Sequence, residues 1–289
     1  MPPVPLIEIR SLQKCFGAVE VLKSVDVDIL EGEIFGILGT NGAGKSTTIN
    51  ILTNQITADS GAIEIAGVPA STETNQMIGL APQDIALYPH LSARENLSFF
   101  AGVYGLRGVT RRQHVDRVLD GLELRSVSNI EVEKLSGGWQ RRLNLGIALV
   151  HQPRIAILDE STVGMDVEAR FKMWETIGAL KTSGVTVVLT THLMDEAEAL
   201  CDRIGILHEG RIAALGTMDE LRGVVPAVEL AEVGCSDMQA LMLHAEASGL
   251  ATRLYGGRLT LLLSERLTIR DLVERLAPLE VRSARLRAV

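Results

Sequence analysis

The stretch that most constrains this chain is residues 33–52, whose centre matches the phosphate-binding loop pattern G-x-x-x-x-G-K-[ST]. The loop consists of Gly39, Thr40, Asn41, Gly42, Ala43, Gly44, Lys45, Ser46 and Thr47. The apolar run 34–38 before it predicts a buried strand, and residues 48–52 after it predict a helix. Backbone N–H groups in such a turn point at an anion, and the helix dipole adds partial positive charge. We therefore predict a nucleoside triphosphate site, in which Lys45 reaches the β- and γ-phosphates and Ser46 ligates Mg²⁺.

The bulk composition excludes several other classes of protein. The 289 residues fit one large domain or two ordinary ones, and a hydrophobic share of 46% suffices for a core. A net charge of −8 argues against a nucleic-acid binder, because phosphate contacts need clustered Lys and Arg. The three cysteines, at 15, 201 and 235, form no metal-spacing pair and are typical of a cytosolic protein. No apolar run approaches the ~18 residues of a membrane span, and residues 1–3 do not begin a signal peptide, so any membrane role is expected to be peripheral.

Three short segments, 6–9, 25–29 and 61–66, alternate apolar and polar residues. This period of two predicts half-exposed strands and hence a small antiparallel sheet beside the loop-bearing strand. Phe16 lies between the first two segments, in a chain of which only 3% is aromatic. Its ring either belongs to the core or stacks on a nucleotide base, and the pattern leaves both interpretations open.

Residues 77–80 predict another buried strand, which leads into Gln83. Open α/β sheets place ligand-binding groups at the carboxyl ends of their strands, although a surface glutamine in a loop is the alternative. A capping box at 92–95 and a further helical stretch at 115–122 predict a helical insert over about residues 85–140.

A second serine–glycine segment opens the helical pattern that continues to residue 149. It consists of Ser136, Gly137 and Gly138. A helix that begins in this way can hold a second phosphate contact, because its first backbone N–H groups are free. The alternative is a plain N-cap after a flexible turn.

The apolar run 155–158 leads directly into Asp159 and Glu160. A buried strand that carries two acids at its carboxyl end is the usual partner of a phosphate loop, whereas two acids elsewhere often form a solvated turn. We predict that Asp159 holds Mg²⁺ through its water shell. Glu160 is predicted to orient or deprotonate the attacking water.

Residues 167–181 predict a helix that buries Phe171, Trp174 and Ile177, and residues 186–190 predict a buried strand. That strand ends next to His192, which places the imidazole at the same sheet edge as the glutamine and the two acids. Because four polar groups converge there, a catalytic role competes with that of an ordinary structural histidine.

The pattern changes near residue 224. From there the order strand, helix, strand, strand, helix, strand predicts a small ferredoxin-like α+β domain. Ser236 is predicted to cap its first helix, and glycines 256–257 to form its hairpin turn. From Arg253 onward eight arginines stand against four acids, a net charge of +4. This favours either a solvated face or a weak contact with a membrane surface or partner.

The ordered set of motifs resembles the nucleotide-binding subunit of ABC transporters over residues 4–222. Phe16 is similar to the adenine-stacking aromatic of that family, and the phosphate loop to its Walker A motif. Gln83 stands where the Q-loop glutamine would be.

The remaining family motifs follow in the expected order. Residues 135–138 resemble the signature sequence, which is far more specific than a phosphate loop. Asp159 and Glu160 are similar to the Walker B aspartate and the catalytic glutamate. Residues 163–166, which include Asp166, resemble the D-loop, and His192 resembles the switch histidine.

The resemblance implies a fold and two domains. The fold is α/β, a P-loop NTPase core with an antiparallel β subdomain and a helical insert, over residues 1–223. The ferredoxin-like α+β domain is expected at 224–289. The implied cofactors are ATP and Mg²⁺, the metal being held by Ser46, Gln83 and Asp159. The implied catalytic residues are Glu160, His192, Gln83 and Lys45.

The resemblance also implies partners. ATP would be clamped head to tail between Lys45 and Ser46 of one copy and residues 136–138 of a second copy or a homologous ATPase subunit. An integral membrane permease would dock near Gln83. This would place the chain in the cytoplasm, peripheral on the inner face of the cell membrane.

Residues 34–39, residues 87–91 and the appended C-terminal domain most resemble ATPases of multidrug, antibiotic-resistance and polysaccharide exporters. Three residues depart from the family pattern: Thr40 and Ser161 replace prolines, and Trp139 replaces a glutamine. Thr40 is expected to reduce loop rigidity, and Ser161 to loosen the D-loop. No residue needed for hydrolysis is missing.

The main alternative is a soluble ABC-type ATPase with a non-transport regulatory role. Ribosome-acting members normally carry two phosphate loops, and this chain has one. Chromosome and DNA-repair members need a long heptad insert, but only 91 positions separate Lys45 from Ser136. A non-hydrolytic module would be expected to have lost Glu160 or Lys45.

Overall fold

The chain contains both strands and helices in a computed structural model, which describes residues 4–224, 227–255, 258–277 and 279–288. Within these residues the strands are β1 (Pro5–Phe16), β2 (Val19–Leu30), β3 (Ile34–Leu38), β4 (Ser60–Ile65), β5 (Val68–Pro69), β6 (Ile78–Ala81), β7 (Ile155–Asp159), β8 (Thr186–Thr191), β9 (Arg203–His208), β10 (Arg211–Gly216), β11 (Glu229–Cys235), β12 (Ala251–Tyr255), β13 (Arg258–Leu263) and β14 (Val281–Ala288). The helices are α1 (Lys45–Leu52), α2 (Ala93–Val103), α3 (Gly108–Gly121), α4 (Gly137–Leu149), α5 (Val167–Thr182), α6 (Met194–Leu200), α7 (Met218–Val224), α8 (Met238–Ala247) and α9 (Ile269–Arg275).

The chain divides into two compact units, Met1–Met218 and Asp219–Val289. The boundary predicted after residue 223 lies five residues further along, within α7. Two predictions fall outside the described residues: the lack of a signal peptide at residues 1–3 and the hairpin glycines at 256–257. In the part of the chain that is described, no helix combines the length and the apolar character that crossing a membrane requires.

A six-stranded sheet forms the centre of the first unit, in the order β10-β9-β3-β8-β7-β6. Its strands run parallel except at the hairpin of β9 and β10. Every residue of β3, β7 and β8 is buried, as is typical of parallel strands covered on both faces. Because β6, β7 and β8 are parallel neighbours, their carboxyl ends lie side by side.

A second sheet, in the order β2-β1-β4-β5, is antiparallel. The alternating segments had predicted it, but β1 and β2 are longer than those segments because their hairpin continues to Phe16 and Val19. Its buried side chains pack in one cluster with residues of β3, α1 and β7, so this sheet and the loop-bearing strand share a core.

The predicted helical insert contains α2 and α3. Ser92 and Glu95 form the predicted capping box at the start of α2. Buried leucines and valines of both helices pack in one cluster with α4 and with the second face of the central sheet.

The burial predicted for α5 was partly wrong. Ile177 is fully buried as expected, but its core neighbour one turn earlier is Met173, whereas Phe171 is 53% exposed. A period of 3.6 leaves the edges of an apolar stripe undetermined. Here the ring of Phe171 lies edge-on against Trp174, with centroids 5.2 Å apart, instead of entering the core.

The second unit is an antiparallel sheet, in the order β12-β13-β11-β14, with a core of its own that includes residues of α8 and α9. The element order and the strand order are those of a ferredoxin-like fold, as predicted. The predicted cap of α8 was wrong by one residue. The Asp237 carboxylate, rather than Ser236, accepts the hydrogen bond from the Ala240 N–H at 2.9 Å, because a side chain at the N-cap itself has the geometry to reach that group.

Candidate active site

The phosphate loop joins β3 to α1 and depends on glycine at two positions. Gly44, the N-cap of α1, has φ 111°, which strains any other residue. At Gly39 a Cβ atom would lie 2.5 Å from the backbone oxygen of Leu207 on β9. The loop therefore holds a conformation that leaves its backbone close to whatever occupies the turn.

Lys45 is buried at the first position of α1. Its Nζ donates to the backbone oxygens of Gly39 at 2.9 Å and Thr40 at 3.3 Å. The same ammonium lies 3.1 Å from the Glu160 carboxylate. The cation is thus held at the loop by backbone oxygens of the loop itself and by the acid that follows β7, two strands away from β3 in the sheet.

Glu160 is the centre of the polar cluster at the carboxyl edge of the sheet. Gln83, which follows β6, donates from Nε2 to its Oε2 at 3.3 Å. His192, which follows β8, places Nδ1 3.4 Å from its Oε1. The structure therefore brings Lys45, Gln83 and His192 together on one buried carboxylate.

The backbone of Glu160 is itself unusual. Its φ is 48°, a left-handed conformation that is uncommon for a residue with a side chain. Its N–H donates to the Thr190 hydroxyl at 3.1 Å, and that hydroxyl in turn donates to the carboxylate of Asp159. Thr190 thus holds both acids at the end of β7. This role of Thr190 could not be predicted from the sequence, because a threonine inside an apolar strand carries no local signal beyond its polarity.

A cavity of about 400 Å³ opens above the loop. It is lined by Phe16, Val21, Asn41, Gly42, Gly44, Lys45, Ser46, Thr47, Gln83 and Glu160. Phe16 is 51% exposed, so its ring does not belong to the core, and one of its two interpretations is excluded. The ammonium of Lys14 lies 5.5 Å from the centre of this ring and is paired with Asp59 at 2.8 Å. The base-stacking role of Phe16 stays a prediction.

The predicted second phosphate contact lies apart from this cavity. Ser136, Gly137, Gly138 and Asp166, all of them described, are not among its lining residues. Ser136 is the N-cap of α4, but its side chain makes no capping hydrogen bond, unlike a plain N-cap. Asp166 caps α5 by accepting from the Ala169 N–H at 2.8 Å.

Helix α4 connects this distant segment to the Gln83 segment. Arg141 donates to the Gln83 carbonyl at 2.7 Å, and Asn144 donates to the Pro82 carbonyl at 3.0 Å. Burial lowers the pKa of the Arg141 guanidinium. Two hydrogen bonds therefore tie α4 to the segment that carries Gln83.

Two of the three residues that depart from the family pattern are buried or partly buried. Trp139 is partly buried against the helical cluster, with the Arg142 guanidinium 5.1 Å from its ring centre. Ser161 is buried, and its Oγ finds no hydrogen-bond partner in the described part of the chain. Thr40 lies exposed in the phosphate loop and accepts the Ala43 N–H at 3.2 Å.

Known proteins match this chain closely. It is 41% identical over 219 residues to the linearmycin resistance ATP-binding protein LnrL of Bacillus subtilis, and the match covers 75% of this chain and 70% of that protein. The chain belongs to the ABC transporter family. The family model described as ABC transporter matches residues 22–163. Another ABC relative, the Nod factor export ATP-binding protein I of Burkholderia lata, is 35% identical over 264 residues, which cover 86% of this chain and 84% of that protein.

Solved ABC structures agree with the fold. A dimeric, post-hydrolysis structure of the ATP-binding cassette MJ0796 bound to ADP and Pi has a TM-score of 0.67 at 27% identity, covering 73% of this chain and 98% of that one. These comparisons confirm the predicted family, the P-loop fold and the assignment as an ABC-type ATPase subunit of the exporter type. The alternative of a soluble ABC ATPase with a regulatory role is not favoured, because these relatives are named for resistance and export.

Proposed function

We propose that two copies of this chain, or one copy and a homologous ATPase subunit, close head to tail around two ATP molecules and hydrolyse them to drive export through a separate membrane permease. The observation that carries this proposal is the position of Glu160. This buried carboxylate lies between Lys45 of the phosphate loop and His192 of the neighbouring strand. An acid in this position can act on water beside the terminal phosphate.

The cavity suits the triphosphate of ATP. The glycines of the loop let phosphate oxygens approach the backbone N–H groups at the start of α1. Lys45 already lies at this loop, and its flexible stem allows the ammonium to move from Glu160 to a phosphate oxygen. Phe16 and Val21 line the same cavity and offer apolar surface to the base.

The residues present also fit Mg²⁺. Ser46, Gln83 and Asp159 provide hydroxyl, amide and carboxylate oxygens, the hard donors that this ion prefers. Ser46 and Gln83 line the cavity, and Thr190 holds Asp159 beside Glu160. Among the described residues no cluster of three or more His, Cys, Asp or Glu side chains is placed to hold a metal, so Mg²⁺ would share its coordination with the phosphates. When bound, the ion would neutralise charge on the phosphates.

Hydrolysis then uses the groups that surround Glu160. Its carboxylate orients the attacking water and accepts a proton from it. Lys45 and His192 stabilise the negative charge that develops on the transferred phosphoryl group. Gln83 donates to the second oxygen of this carboxylate and so links it to the loop that follows β6.

The second half of each site is proposed to come from the partner copy. The Ser136 hydroxyl, which makes no capping bond, and the first N–H groups of α4 can bind an anion, and these residues do not line the cavity of the same chain. Asp166, at the start of α5, is exposed and lies in the D-loop-like segment that would meet the partner. Two identical chains related by a two-fold axis satisfy both halves at once.

An aromatic cluster is the proposed permease contact. Tyr88 and Phe99 are 46% and 45% exposed, with ring centroids 4.8 Å apart, and Phe100 packs beside Phe99 at 5.3 Å. Exposed apolar side chains gathered in this way mark protein contacts. The cluster begins five residues after Gln83, so permease movement would reach the catalytic carboxylate. We therefore propose a cytoplasmic subunit held on the inner face of the membrane by its permease.

The test is Glu160→Gln. Because the amide cannot accept the proton, turnover should fall by about 10³-fold, while ATP binding persists. Steady-state ATPase rates and size-exclusion chromatography with ATP measure the two effects, and the variant should accumulate as a closed dimer. Turnover at the wild-type rate would contradict the role of Glu160, whatever its effect on dimerisation.

A further inference from the structure

Glu196 is a fully buried carboxylate that the mechanism above does not use. It lies on α6, the helix that begins two residues after His192. Acids are almost never fully buried unless they are paired or hydrogen-bonded, because burial removes their hydration. Its presence therefore needs a physical reason.

Two side chains from different segments bind one oxygen of this carboxylate. The Thr162 hydroxyl donates to Glu196 Oε1 at 2.6 Å, and the Trp174 indole N–H donates to the same atom at 3.1 Å. Thr162 is buried and lies two residues after Glu160. Trp174 belongs to α5, which Asp166 caps. One oxygen thus joins the helix that follows His192 to Thr162, just before the D-loop-like segment, and to α5, which follows that segment.

The second carboxylate oxygen of Glu196 indicates that burying this acid does not maximise the stability of the fold. Glu196 Oε2 is buried and finds no hydrogen-bond partner among the described residues. Both donors to Oε1 are neutral groups, so they compensate the buried carboxylate only in part. An apolar side chain of similar volume would avoid this cost but would leave Thr162 and Trp174 without their acceptor.

We propose that Glu196 is a positioning residue that makes the D-loop-like segment and His192 move as one body. A partner copy that presses on residues 161–166 would then change the distance between His192 and Glu160. Catalytic groups must be held to within a fraction of an ångström, and supporting hydrogen bonds provide that precision. This inference rests on the roles proposed for Glu160 and His192.

The decisive variant is Thr162→Val, which removes one hydroxyl and keeps the shape of the side chain. We expect kcat to fall about tenfold while the Kd for ATP changes less than about twofold. The phosphate loop that binds ATP is unchanged, and only the positions of the groups that act in hydrolysis are disturbed. The matched control is Thr176→Val, on the same helix as Trp174. Among the residues that the structure describes, the Thr176 hydroxyl donates to the Lys172 carbonyl alone, at 2.8 Å, so this variant should keep the wild-type kcat.

Two further variants separate positioning from simple stability. Glu196→Gln keeps a carbonyl oxygen for both donors and should retain kcat within about threefold. Glu196→Ala removes the acceptor and should lower kcat at least as much as Thr162→Val. The double variant Thr162→Val with Glu196→Ala should have the same kcat as Glu196→Ala alone, because both substitutions remove the hydrogen bond between Thr162 and Glu196. If Glu196→Ala fails to fold, the kcat values of Thr162→Val and Glu196→Gln still test whether Glu196 is a positioning residue.

Wild-type kcat in Thr162→Val would overturn the inference. So would additive effects in the double variant, or a loss of ATP affinity equal to the loss of kcat. Failure here is distinguishable from failure of the proposed function, because Glu160→Gln tests the catalytic carboxylate without touching Thr162 or Glu196.

Discussion

The start of α1, which follows the phosphate loop, and the start of α4 are both helix N-termini with glycines at or beside their first turn, but their surroundings differ. At the loop, Lys45 is buried and Glu160, Gln83 and His192 are gathered beside it. At α4, Ser136 is exposed, and its hydroxyl makes no capping bond. One region has its chemistry assembled within the chain, whereas the other offers only an anion-binding end. This difference supports the proposal that the second region contacts a nucleotide bound by another chain.

The two regions also differ in backbone conformation. Gly44 has φ 111°, which requires glycine, whereas Ser136 has φ −64° and ψ 158°, ordinary values for an N-cap. The phosphate loop is therefore restricted in sequence by its own geometry. The α4 segment has no such local restriction, which is consistent with a tryptophan at position 139.

The largest effects are expected when each region is disabled by itself. Lys45→Ala should abolish both ATP binding and turnover, because it removes the ammonium group that binds phosphate at the loop. Ser136→Arg should lower turnover by at least about 10²-fold but leave the Kd of the monomer for ATP within about twofold, because this residue does not line the cavity of its own chain. Isothermal titration and steady-state ATPase assays measure the two quantities.

Ser183→Arg is the matched control for the added bulk and charge. Ser183 is also exposed and lies at the end of α5, away from either nucleotide-facing region in the sequence, so the variant should behave as wild type. A large loss of ATP affinity in monomeric Ser136→Arg would contradict the separation of the two regions.

An effect of intermediate size is expected at the two exposed phenylalanines. Phe16→Ala should weaken ATP binding about tenfold, since stacking on a base contributes at this level, but leave the affinity for inorganic phosphate analogues unchanged. Phe99→Ala removes a ring of similar exposure, 45% against 51%. It should leave ATP binding unchanged and reduce co-purification with a membrane permease. Equal weakening of ATP and phosphate analogues in Phe16→Ala would remove its stacking role.

The smallest effect concerns the junction between the helical insert and the central sheet. The His151 ring stacks on Tyr104 with centroids 3.6 Å apart, and its Nε2 lies 3.1 Å from the Ile78 oxygen on β6. Burial lowers the pKa of His151 to about 4. Because this folded-state pKa lies below the ordinary value of about 6.5, the unfolded chain binds a proton first, and stability is lost as pH falls from about 6.5 to 4.

His151→Gln should reduce this loss, flattening the fall in thermal midpoint over that interval by about 2 to 4 °C. Thermal unfolding followed by circular dichroism at several pH values measures it. His90→Gln is the control for the loss of an imidazole, since the His90 side chain is 83% exposed and lies outside this junction. A profile for His151→Gln parallel to the wild type would show that this junction is not titrated.

Much of this architecture was predictable because its signals are local. The continuous apolar runs of β3, β7 and β8 indicate parallel strands, and parallel strands bring their carboxyl ends together. Glu160 and His192 could therefore be placed at one edge before their distance was known. Asp237 was missed as a cap because Ser236 beside it has the same propensity, and only backbone conformation distinguishes them.

The features that could not be predicted depend on contacts between distant segments. Phe171 remains outside the core because Met173 already occupies the buried face, which periodicity alone does not reveal. Thr190 and Glu196 carry no motif, and their importance follows only from the atoms they touch, 31 and 34 positions away in the sequence. Such hydrogen bonds leave no local pattern in the sequence.

We propose that one chain holds two half-sites that only two chains can join. The most direct measurement mixes Lys45→Ala and Ser136→Arg chains, each inactive by itself, in verified heterodimers carrying two affinity tags. In such a heterodimer one nucleotide site combines the intact phosphate loop of the Ser136→Arg chain with the intact α4 start of the Lys45→Ala chain. ATPase activity should recover to about half of the wild-type rate per dimer if each site works independently. Purified heterodimers that remain as inactive as either parent would contradict this account.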